Sequence, residues 1–99
     1  MPYTIEYAPD VVSQFQVLTI RQQRMLLDAI EVQLAHQPGI ETRNRKRMRP
    51  NTLAPWELRV DNLSVYYDVI EQPDSVVHVL AVGIKIRNRV FIGGKEFDI

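Results

Sequence analysis

The spacing of apolar side chains changes along the 99-residue chain, and each change marks an element. Tyr3, Ile5 and Tyr7 alternate with Thr4 and Glu6, the period of a half-buried strand. Ala8-Pro9-Asp10 ends it, because proline cannot donate to a ladder and suits a first helical turn. Val11, Phe15 and Leu18 then recur at helical spacing and predict a short helix. Thr19-Ile20-Arg21-Gln22 fits a capping box, in which Thr19 and Gln22 satisfy orphan backbone donors. The helix it starts is predicted to run to about His36. Its apolar stripe is Ile20, Leu27, Ile30 and Leu34, with Leu26 and Ala29 beside it, and Pro38-Gly39 stops it. Two helices joined this tightly form a helical hairpin.

The second half returns to period two. Residues 39–54 read as a polar connection with turn chemistry at Pro50-Asn51. Trp56, Leu58 and Val60 alternate with Glu57, Arg59 and Asp61, and Asp61-Asn62 is a tight-turn signal leading into a strand over 63–70. There Leu63, Val65, Tyr67 and Val69 share one face, and Ser64, Tyr66, Asp68 and Ile70 the other. Residues 72–75 turn again. Val76 to Ile84 is nearly continuously apolar, which places that strand centrally, covered on both faces. Residues 89–92 predict a last short strand, Gly93-Gly94 breaks it, and 95–99 read as a tail. The fold class is α+β: an N-terminal strand and a helical hairpin packed on one face of a largely antiparallel sheet.

Composition narrows the class. One domain over residues 1–99 is expected from the length. Hydrophobic residues are 45% and charged residues 24%, which opposes wholesale disorder. The absence of cysteine removes disulfide scaffolds and thiol catalysis. No apolar run approaches a membrane span and no signal core opens the chain, so a cytoplasmic protein with no membrane partner is expected. The net charge of zero hides an asymmetry. Residues 1–42 are acidic on balance, whereas basic residues cluster at Arg43, Arg45, Lys46, Arg47 and Arg49 and again at Lys85, Arg87 and Arg89.

The ordered set of joints resembles the RelE/ParE superfamily of toxins from toxin–antitoxin systems. It comprises Tyr3-Thr-Ile-Glu-Tyr, the hairpin closed by Gln37-Pro38-Gly39, the basic segment Arg45-Lys-Arg-Met-Arg-Pro, Trp56-Glu-Leu-Arg-Val, Val65-Tyr-Tyr-Asp-Val and Val79-Leu-Ala-Val-Gly with its basic continuation. The likeness implies a toxin neutralised by a cognate antitoxin. RelE-like members cleave messenger RNA, usually on the ribosome, and ParE-like members inhibit DNA gyrase by binding. The resemblance also exposes departures. Ser64 stands where the nucleases carry an arginine, Lys85 takes the second basic position of the V-G-K-R pattern, and Phe91 falls where a tyrosine is expected.

Metal-independent RNA cleavage needs a base for the 2′-hydroxyl, a proton for the leaving oxygen and cations for the phosphorane. On an extended segment Lys85, Arg87 and Arg89 project from one face. Arg59, Glu57 and Tyr66 share the face away from the helices. The candidate catalytic set is therefore Arg59, Lys85, Arg87, Glu57 and Tyr66. Tyr66 is also the candidate ring for base stacking, which needs exposure, and a packed strand residue is its equal alternative. Arg43, Arg45, Lys46, Arg47, Arg49 and Arg89 are candidate RNA-binding residues, since such clusters hold phosphates without reading sequence. The competing readings are a solvated strand face for Glu57 and Arg59, and an antitoxin docking surface for the basic segment. His36 and His78 are too far apart for a paired-histidine nuclease, and no metal or cofactor is expected.

Overall fold

The computed structural model describes residues 2–97. Its elements are β1 (Thr4–Tyr7), α1 (Pro9–Gln16), α2 (Ile20–Leu34), β2 (Arg45–Arg47), β3 (Trp56–Val60), β4 (Leu63–Ile70), β5 (Val76–Ile86), β6 (Arg89–Ile92) and β7 (Lys95–Phe97). The capping box forms as its residues predict: the Gln22 amide donates to Thr19 Oγ1 at 3.1 Å and the Thr19 amide to Gln22 Oε1 at 2.9 Å.

The strands join in the order β2-β3-β4-β5-β6-β7, and every neighbour in that path is antiparallel. β5 is central, as its apolar run predicts. β4 occupies one of its edges, and the other is shared by β1, parallel along Val76–Val79, and β6, antiparallel along Gly83–Ile86. Between these two partners the Val82 amide would be left bare. Gln14 of α1 closes the gap, its Oε1 accepting from that amide at 2.9 Å.

The helices bury Val11, Leu18, Leu26, Ile30 and Leu34 against Trp56, Leu58, Leu63, Val65, Tyr67, Val77, Val79 and Val82. The α2 stripe is rotated from the expected one: Leu26 is fully buried, while Ile20 is 71% and Leu27 43% exposed. Adjacent leucines lie about 100° apart on a helix, so α1 and the sheet decide which one faces inward.

Three further differences bear on function. Residues 45–47 of the expected connection form a strand, and the expected tail contributes β7, with Asp98 and Ile99 outside the described residues. The sheet face away from the helices is also not open. Tyr66, Ala81, Val90 and Ala54 form a second small core there, covered by Met48 and Leu53 from the segment between β2 and β3. Asn51 folds that segment: its side-chain amide donates to the Arg49 and Ala54 carbonyls, and its Oδ1 accepts from the Leu53 and Ala54 amides.

A bulge completes this face. Tyr66 pairs with Ala81 but Tyr67 with Val79, so Leu80 is the extra residue and packs on the Tyr66 side together with Ala81. Gly83 sits in the same layer. A Cβ there would lie 2.6 Å from the Phe91 carbonyl oxygen and 2.9 Å from Ile92 Cγ1. Gly83→Ala should therefore push β6 from β5 and cost about 1–3 kcal/mol, the range for overpacking. A urea midpoint equal to that of the parent protein would contradict this.

Candidate functional site

Strand register brings Glu57 and Arg59 of β3, Ser64 and Tyr66 of β4 and Lys85 of β5 onto one face of the sheet. At its centre Glu57 Oε2 lies 3.0 Å from Lys85 Nζ and accepts a 2.9 Å hydrogen bond from Ser64 Oγ. Ser64 is fully buried, so it fixes the carboxylate from beneath. Lys46 pairs with Glu57 in the β2–β3 register and adds a second cation to the row.

Two clefts reach this cluster. One of about 480 Å³ is walled by Lys46, Arg47, Met48 and Arg49 and reaches Glu57. The other, about 240 Å³, is lined by Lys85, Arg89 and Glu96 together with Met48, Val90, Phe97 and the buried Tyr66. Met48 stands at the junction of both. Among the described residues no three His, Cys, Asp or Glu side chains converge as a metal site, and no helix is long and apolar enough to cross a membrane.

Tyr66 takes the predicted face, and of its two expected states it takes the packed one. It is 0% exposed, which removes it as a free stacking ring. Its hydroxyl has no hydrogen-bond partner, although Ser64, Glu57 and Arg59 all lie near enough to influence it. Burial is the main cause that pushes its pKa up to about 12, against an ordinary 10.0. The phenol therefore keeps its proton at neutral pH. Arg59 is likewise half-buried with Nε unpartnered.

These orphaned groups make a test. Tyr66→Phe removes a buried hydroxyl that is paired with nothing, so it should hold or raise stability, by up to about 1–3 kcal/mol. The folded-state pKa is raised, so the phenol's contribution to stability is complete below pH 10 and is lost as pH rises toward about 12. The variant should lose less stability than its parent across that window. Melting curves between pH 9 and pH 12 check both points.

The basic residues separate into distinct roles. Arg45 is corrected from an RNA-binding to a structural residue. It is 8% exposed, and its guanidinium donates to the carbonyl of Gln33 in the last turn of α2, to that of His36 just past it and to that of Ile40 in the following loop. The helix end is short of donors and partly negative, and a buried cation answers both needs. Arg47 lies 5.8 Å from the Trp56 ring centroid, and Trp56 in turn stacks on Tyr67. Arg43, Lys46, Arg47 and Arg49 remain exposed.

The predicted Lys85–Arg87–Arg89 row does not form, because the chain reverses. Arg87 sits in the turn at φ 58°, exposed beyond the end of β5. Arg89 pairs with Ile86 and meets Glu96 at 3.9 Å, and both Arg89 and Glu96 stand at the exposed rim of the cleft that holds Lys85. Phe91 pairs with Ile84 and faces away, and the aromatic ring that borders Lys85 is Phe97. Sequence reasoning missed Phe97 and Met48 as parts of the site, and it met Ser64 only as a departure at the arginine position, not as the partner of Glu57.

With this geometry in view, the fold finds a counterpart in the crystal structure of the toxin–antitoxin complex RelBE2 from Mycobacterium tuberculosis. The match has a TM-score of 0.69 and covers 86% of this chain and 100% of that one, at 17% identity. Two helices on a largely antiparallel sheet, in this order and connection, are the RelE toxin fold. No protein-family model and no curated protein sequence matches the chain.

Proposed function

We propose that the protein is the toxin of a toxin–antitoxin pair and stops translation by metal-independent cleavage of messenger RNA on the ribosome. The observation that carries this reading is the Glu57 carboxylate, held between Lys85 Nζ and Ser64 Oγ at the meeting of two cation-walled clefts. Glu57 takes the proton of the 2′-hydroxyl, whose oxygen attacks the phosphorus. Lys85, with Arg59 behind it, stabilises the negative phosphorane. The P–O5′ bond breaks, and the leaving oxygen takes a proton from Lys85, leaving a 2′,3′-cyclic phosphate and a 5′-hydroxyl. Exposed Arg43, Lys46, Arg47 and Arg49 hold flanking phosphates. Arg89, at the rim of the Lys85 cleft, holds a further phosphate, and Arg87, carried off by the turn, is peripheral.

The antitoxin in this reading carries an acidic segment that covers Lys46, Arg47, Arg49 and Lys85. Such rim charges govern mainly the rate of association. Pulse labelling after induction without a partner tests the proposal. Amino-acid incorporation should fall while DNA synthesis continues. If DNA synthesis stops first, inhibition of gyrase replaces this reading, and the departures at Ser64 and Phe91 become its explanation.

A further inference from the structure

The segment between β2 and β3 walls a third cleft, of about 460 Å³, on the side away from Lys85. It combines Arg47 and Arg49, the apolar surfaces of Pro50, Leu53 and Leu80, and the single carboxylate of Asp68. We propose that this cleft is a base-binding subsite selective for guanine, and it rests on the reading of the protein as an RNA-binding toxin.

Each component meets one part of a nucleotide. The exposed Arg49 suits phosphate, with Arg47 at the cleft's edge engaged over Trp56, and the proline and leucine surfaces suit the faces of a flat ring. The β5 bulge puts Leu80 on this side of the sheet, beside Asp68. Asp68 stands two residues beyond Tyr66 on the same side of β4, about 7 Å further along the strand. Its Oδ1 accepts from the Val69 amide at 2.8 Å, which fixes the carboxylate plane. Asp68 forms no ion pair among the described residues, and His78, opposite it in β5, makes no hydrogen bond to it. An ionised carboxylate is acceptor-only. Guanine alone of the four bases offers two neighbouring donors on its Watson–Crick edge, N1–H and the exocyclic amine. Adenine and cytosine present an amine beside a ring acceptor, and uracil an N–H between two carbonyls, so each sets a lone pair against the second carboxylate oxygen. An acidic peptide fits poorly, because Asp68 would repel it.

Titration of the isotope-labelled full chain with GMP, AMP, CMP, UMP and IMP, followed by amide chemical shifts, tests this. GMP should perturb Leu53, Asp68 and Leu80 and bind at least about fivefold tighter than AMP, CMP or UMP, the low end for a bidentate base contact. IMP, which lacks the exocyclic amine, should fall below GMP. Asp68→Asn keeps the acceptor for the Val69 amide and should reduce GMP binding to the level of AMP. Equal binding of all the nucleotides, shifts confined to Lys85 and Glu57, or an Asp68→Asn protein that still prefers GMP would each overturn the subsite. No ribosome or cleavage enters this assay. Loss of discrimination in a protein that still arrests translation removes the subsite alone. Persistent guanine selectivity in a protein that leaves translation running removes the toxin reading alone.

Discussion

Arg45→Ala should lose about 3 kcal/mol of folding free energy and lower the melting temperature by roughly 15 °C, although position 45 lies in the most basic stretch of the chain. The guanidinium donates to the carbonyls of Gln33, His36 and Ile40 from a site only 8% exposed. Truncation leaves those acceptors short of donors and removes a cation from the negative end of α2. Arg45→Lys should recover only part of the loss, because one ammonium cannot span carbonyls that a planar fork reaches together. Arg43→Ala and Lys46→Ala, both exposed, should stay within about 0.5 kcal/mol of the parent. Thermal melts of the four variants give the comparison. A parent-like melt for Arg45→Ala would return that residue to the nucleic-acid surface.

Lys85→Ala should lower RNA cleavage at saturating substrate by ~10²–10³-fold, the usual cost of removing one group that stabilises transition-state charge. Lys85 is the cation that touches the candidate base, at 3.0 Å from Glu57 Oε2, and it borders the cleft beside Tyr66. Arg87→Ala should leave the rate nearly unchanged, because the turn carries Arg87 off this face. The pair is only 26% and 12% exposed, so Lys85→Ala also leaves the Glu57 carboxylate short of a cation and should lower the melting temperature; the rates are compared where both proteins are folded. Equal losses from Lys85→Ala and Arg87→Ala would mean that the cations act as a diffuse field and not at one phosphate.

The contrast between Arg45 and Lys85 shows where sequence reasoning reaches and where it stops. Local rules place the elements well: Thr19 and Gln22 announce α2, alternation sets β3 and β4, and the apolar run of β5 marks the central strand. Parity alone groups Glu57, Arg59 and Tyr66 on one face, and the structure keeps them there. Charge counting fails in the basic segment because burial of Arg45 depends on where α2 ends, at a contact 12 residues away. Alternation likewise fails across residues 85–89, because a two-residue reversal resets the face. The burial of Tyr66 could not be read either. It depends on Asn51 folding a polar-looking segment so that Leu53 and Ala54 lie over the sheet.

The central claim is that Glu57 and Lys85 form a cleavage site for messenger RNA, and mapping of message ends on translating ribosomes treated with the purified protein tests it most directly. New 5′-hydroxyl ends within the reading frame are expected with the parent protein, and their near absence with Glu57→Gln and Lys85→Ala proteins that are folded at the assay temperature. Intact message with the parent protein, or undiminished cleavage by both variants, would contradict it.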